Sequence, residues 1–135
     1  MRATPRLSST ILVVDDEPAV LKLVKLILEG AGYAVLAAGN GQQALALSEN
    51  RGHSIDLLLT DINMPDISGP ELACRVSATV PRLSVMFMTG HRADTHGIEF
   101  LRRDGPFSDC AVISKPFNPP ELLSQVTAVF SATAR

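Results

Sequence analysis

Four short apolar runs, at residues 11–14, 55–59, 83–88 and 111–113, constrain this chain more than any other feature. Each is too short for a helix and lacks the strict alternation of a half-buried strand, so each predicts a strand covered on both faces. A fifth run, 33–38, is weaker and fits a place nearer a sheet edge. Between the runs the period becomes helical. Val20, Leu23, Val24, Ile27 and Leu28 follow the i, i+3, i+4, i+7, i+8 spacing, with Lys22, Lys25 and Glu29 opposite and Gly30 or Gly32 ending the pattern. Asn40 and Gly41 open a second helix through Ala44, Leu45 and Ser48. Ser68 with Glu71, and Asn118 with Glu121, have the form of capping boxes that start helices near Gly69 and at Pro119. The last helix carries the stripe Leu122, Val126, Val129 and Phe130. Strand and helix alternating five times predict an α/β fold, a doubly wound five-stranded parallel sheet with helices on both faces. Residues 90–109 are the least regular: Arg102, Arg103, Asp104, Gly105 and Pro106 break the pattern begun by Ile98, Phe100 and Leu101. A short, poorly anchored fourth helix and a long loop are expected there.

Ligands of such sheets bind beyond the carboxyl ends of the strands. The first strand runs out into Asp15 and Asp16, the third into Thr60 and Asp61, the fourth into Thr89 and Gly90, and the fifth into Ser114, Lys115 and Pro116. The predicted sheet therefore brings three carboxylates, a hydroxyl and an ammonium to one edge. Taken singly, an acidic pair before a helix is more often an N-cap than a metal site, and Thr89 or Lys115 alone is unremarkable. Their joint occurrence at four strand ends reverses that weighting. Three packed carboxylates repel one another unless a cation joins them. Mg2+ suits the set, being a hard ion held by one or two carboxylates with waters and phosphate oxygens. A carboxylate can also attack phosphorus, and phosphoryl transfer then requires mainly positioning and positive charge, which a divalent ion, Lys115 and Thr89 could supply.

The 135 residues suit one domain: a folded unit over 10–131, a disordered arm over 1–9 and a tail over 132–135. A net charge of −2 offers no basic face for nucleic acid. No apolar stretch approaches the roughly 20 residues that span a bilayer. The first nine residues lack the apolar core of a secretory signal, so the cytoplasm is the expected compartment. Cys74 and Cys110 lack metal-site spacing and are expected as reduced, partly buried thiols. His53, His91 and His96 are scattered and are expected on surfaces or loops.

The segments ILVVDDEPAVLKLV, DLLLTDINMPDISGPEL, VMFMTG and VISKPFNPPELL resemble the bacterial-type response-regulator receiver family, which includes the stand-alone chemotaxis regulator. Together they extend the resemblance from Thr10 to Phe130. The resemblance implies the flavodoxin-like strand order 2-1-3-4-5. It implies that Asp61 accepts the phosphoryl group, that Asp16 and Asp61 bind Mg2+ directly, and that Asp15 binds it through water. It also implies that the main-chain carbonyl of Asn63 completes the metal site, and that Thr89 and Lys115 bind the phosphoryl group. The Lys115 to Pro116 peptide would be cis. The phosphodonor would be a phosphohistidine on a histidine kinase or histidine phosphotransfer protein, and the last strand and helix would offer a surface for partners or a homodimer.

Two positions depart from the family pattern. Val112 stands where an aromatic often swings inward as the threonine engages the phosphoryl group, which puts that switch in doubt here. The stretch between Thr89 and Lys115 is longer than in chemotaxis-type domains, which implies a remodelled fourth-helix region. A rival reading, a small phosphatase or phosphotransferase with an aspartyl nucleophile, is disfavoured. Asn63 stands two residues after Asp61, where a second acid or base is needed, and no cap domain is in sight. A receiver that only docks and is never phosphorylated is disfavoured by the presence of all five site residues. The expectation is therefore a signalling switch that catalyses only its own phosphorylation and dephosphorylation, either stand-alone or cut from a larger protein such as a hybrid histidine kinase.

Overall fold

The computed structural model describes residues 9–51, 54–90, 107 and 109–133. The expected N-terminal arm apart from Ser9, the three histidines, the fourth-helix region apart from Gly90, Phe107 and Asp109, and the last two residues of the expected tail lie outside the described residues. Five strands, β1 (Thr10–Val14), β2 (Ala34–Ala38), β3 (Leu57–Asp61), β4 (Ser84–Thr89) and β5 (Ala111–Ser114), form one parallel sheet in the order β2-β1-β3-β4-β5. The described helices are α1 (Pro18–Gly30), α2 (Gly41–Arg51), α3 (Gly69–Thr79) and α4 (Pro119–Thr133). The weak fifth run is thus an edge strand, while β1, β3 and β4 lie inside the sheet.

The period-2 geometry of the strands divides the core in two. Ile11, Val13, Leu57, Leu59, Met86, Met88 and Ile113 pack on one face against Val24 and Leu28 of α1 and Leu122, Val126 and Phe130 of α4. Leu12, Val14, Leu58, Val85 and Phe87 pack on the other face against Ala44 of α2 and Leu72, Ala73 and Val76 of α3. Because both faces are covered, the central strands read as unbroken apolar runs.

The structure revises some local readings. Leu23 is 48% exposed although its spacing assigns it to the buried stripe. The buried line of α1 runs through Val24 and Leu28, and Leu23 falls outside it. Ile55 is buried but precedes β3, which begins at Leu57; between them the Asp56 N–H donates to Thr10 O at 2.9 Å and the Asp56 carboxylate accepts from Thr10 N at 2.8 Å. Cys74 is exposed, on the outer side of α3. At Ser68 only half of the capping box forms, since Glu71 N donates to Ser68 Oγ while the Glu71 carboxylate pairs with Arg75 at 2.9 Å. At Asn118 both halves form: Glu121 N donates to Asn118 Oδ1 at 2.8 Å and Asn118 N to Glu121 Oε1 at 3.1 Å. None of the described helices is long and apolar enough to cross a membrane.

Candidate functional site

All four site-bearing strands end on one edge of the sheet, and backbone bonds tie their exits to neighbouring strands. Asp15 N donates to Ala38 O at 3.2 Å, Ile62 N to Met88 O at 2.9 Å, and Lys115 N to Thr89 O at 2.7 Å. The Lys115–Pro116 peptide is cis. These exits bring Asp15, Asp61 and Lys115 into contact, with Thr89 at the end of the adjacent strand β4.

Lys115 is the hub of the polar contacts. Its Nζ lies 2.8 Å from Asp15 Oδ2, 3.2 Å from Asp61 Oδ2 and 3.2 Å from Glu17 Oε1. Ligand atoms of Asp15, Asp16 and Asp61 all lie within 4.8 Å of one another. Asp15 and Asp61 are buried and Asp16 is exposed, so the cluster opens to solvent on the Asp16 side. Asp15 Oδ1 accepts from Glu17 N at 2.8 Å and Asp61 Oδ1 from Asn63 N at 3.3 Å. Asp15 Oδ2 is buried against the Lys115 ammonium at 2.8 Å.

Burial raises the pKa of Asp61 from 3.8 to about 6; Lys115 opposes the shift and the charge of Asp15 adds to it. Burial also works against the charge on Lys115, but the contacts with Asp15 and Asp61 outweigh it and hold its pKa above the ordinary value. One ammonium thus faces three carboxylates at hydrogen-bonding range, with Asp16 beside them. The donor set is all oxygen, partly buried and over-supplied with negative charge. That is a fit for a small hard dication.

Thr89 is 1% exposed and donates its hydroxyl to Gly90 O at 3.2 Å. Asn63 meets Asp61 through its main-chain N–H, which donates to Asp61 Oδ1. Val112 pairs in register with Phe87 and packs with the α2/α3 core rather than at the site. In that cluster Phe87 also meets Phe107 edge to face, with ring centroids 5.9 Å apart.

Sequence reasoning overlooked two contributors. Glu17 completes the coordination of Lys115 from the first turn after β1. Gly69 packs where a Cβ would collide with Asp61 O and lie 2.9 Å from Ile62 Cα, so the absence of a side chain lets α3 start directly against the end of β3.

A family model described as "Response regulator receiver domain" matches residues 11–127. The chain belongs to the response regulator receiver family. The receiver is 37% identical over 122 residues to the response regulator GtcR of Aneurinibacillus migulanus, covering 90% of this chain and 48% of that protein. It is 35% identical over 122 residues to the response regulator receiver protein CpdR of Brucella abortus, covering 90% of this chain and 97% of that one. A CheY-like response regulator receiver structure from Methanospirillum hungatei superposes with a TM-score of 0.81 at 33% identity, covering 94% of this receiver and 97% of that chain. The receiver therefore spans about half the length of one relative and nearly all of another. Receivers of this kind occur in two-component systems both as separate chains and within longer regulators and sensor kinases.

Proposed function

We propose that this receiver is the phosphoacceptor of a histidine-to-aspartate relay and that Asp61 carries the phosphoryl group. The observation that carries the reading is the sharing of one ammonium, that of Lys115, between Asp15 and Asp61 beside a third carboxylate, Asp16, at the carboxyl ends of the strands. Mg2+ would be held by Asp16, Asp61 and the Asn63 carbonyl, with Asp15 acting through water. When bound it supplies positive charge that draws phosphoryl oxygens toward the site.

The rest is the work of the chain's own residues. Asp61 is mostly ionised near neutral pH, since its pKa is only about 6. One of its oxygens attacks phosphorus, the bond from phosphorus to the donor's imidazole nitrogen breaks, and a mixed anhydride forms on the carboxylate. Lys115 follows the charge onto the phosphoryl oxygens. Thr89 rotates from Gly90 O to donate to a phosphoryl oxygen. Catalysis is thus positioning and charge compensation, as phosphoryl transfer generally requires.

The donor would be a histidine kinase or a histidine phosphotransfer protein, and the consequence a changed contact with a partner or output module in the cytoplasm. The test is incubation with a small acyl phosphate, with Mg2+ or with chelator, followed by intact-mass measurement. One hydroxylamine-labile phosphoryl group should appear only with Mg2+. Equal labelling in chelator would contradict the metal's role, and no labelling in either condition would contradict the function.

A further inference from the structure

The loop between Asp61 and α3 is held at more points than a connection of its length requires. At its base Gly69 N donates to Ile62 O at 2.7 Å, closing the loop on itself, and Asn63 N donates to Asp61 Oδ1. At its tip Asp66 reaches across to α2. Its Oδ1 accepts from Gly41 N at 3.2 Å and its Oδ2 from Gln42 N at 3.1 Å. Beside it, Ile67 packs so closely on Gly41 that a Cβ at position 41 would collide with Ile67 Cγ2. Ile67 is in turn packed against the α2/α3 core. Asn40 already caps α2, accepting from Gln43 N at 2.8 Å through its own side chain. The Asp66 bonds therefore do more than cap a helix: they join a packed helix to the loop that follows the phosphoacceptor. The bond from Gly41 N also holds the Asp66 carboxyl below the ordinary carboxylate range, so it stays charged and anchored at any ordinary pH.

We infer that Asp66 is a positioning residue: by bonding the first-turn amides of α2 it fixes the loop that bears the Asn63 carbonyl, and so sets the affinity of the acidic cluster for a divalent cation. The inference rests on the cation site proposed above. Groups that orient metal ligands from outside the ligand set commonly govern affinity, because a misplaced ligand pays its ordering entropy on binding.

The test is calorimetric titration of the full chain with Mg2+, accompanied by thermal unfolding, for four proteins. Asp66→Ala should weaken Mg2+ binding by about tenfold, the lower end of what loss of such support costs. Asp66→Asn keeps a carbonyl oxygen for Gly41 N while losing the bond from Gln42 N, and should weaken binding clearly less than Asp66→Ala, by about threefold, as loss of one hydrogen bond implies. Asn40→Ala removes the other cap of the same helix and should lower the unfolding midpoint while leaving Mg2+ affinity unchanged. Unchanged affinity in Asp66→Ala would overturn the inference. So would equal weakening in Asp66→Asn, which would assign the effect to long-range charge, or in Asn40→Ala, which would assign it to helix stability. Failure of the unaltered chain to bind Mg2+ would overturn the cation site itself, and this inference with it.

Discussion

Lys115 lies closer to Asp15, at 2.8 Å, than to Asp61, at 3.2 Å. The ammonium is therefore shared, and neither carboxylate has it alone. Asp15→Asn removes both a competitor for Lys115 and a like charge beside Asp61, so the pKa of Asp61 should fall below about 6. The carboxyl carbon resonance of Asp61, followed by NMR against pH, reads this directly; an unchanged midpoint would contradict the sharing.

Removal of Lys115 leaves Asp15 and Asp61 buried without a counter-charge. Lys115→Ala should cost about 3 kcal/mol, as loss of one partner from a buried ion pair does. Mg2+ should restore part of this, because a dication relieves the same repulsion and binds only the folded state. Urea unfolding with and without Mg2+ measures both quantities.

In the metal-free receiver, Asp61 should make stability fall as pH rises. The folded state holds its proton up to about pH 6 and the unfolded chain only up to about 3.8, so between these values the folded state binds more protons. The favourable contribution is complete below pH 3.8 and lost above 6, and it amounts to about 3 kcal/mol at most. Relative to Asp61→Asn, the unaltered receiver should lose stability across this window, as seen in denaturant midpoints. Mg2+ affinity should fall as pH drops through the same window, since protons then compete for the ligand.

Gly69→Ala should disturb the site, because its Cβ collides with backbone that cannot move without shifting Asp61. A loss of about 2 kcal/mol is expected, as for overpacking elsewhere, together with slower phosphorylation. Gly30→Ala, where nothing lies within 4 Å of the new methyl, should leave phosphorylation unchanged. Paired unfolding and labelling rates check the contrast.

The sheet was legible because β1, β3 and β4 are buried on both faces, which writes an unbroken apolar run into the sequence. The acidic edge was legible because Asp15, Asp16, Asp61 and Lys115 each follow such a run. Contributors that act across the chain were not. Glu17 meets a lysine 98 residues away, and Asp66 caps amides 24 and 25 residues upstream, so no local pattern announces either. Gly69 reads as an ordinary helix start before Pro70, since a glycine's sequence does not say what lies against its missing side chain. Leu23 obeys the helical period yet faces solvent, because period alone does not give the width of the buried stripe.

The most direct test of the central claim is the intact mass of Asp61→Asn after incubation with Mg2+ and a small acyl phosphate, beside the unaltered receiver. The account predicts one labile phosphoryl group on the unaltered receiver and none on Asp61→Asn, with circular dichroism showing both folded. Equal labelling of a folded Asp61→Asn would contradict it.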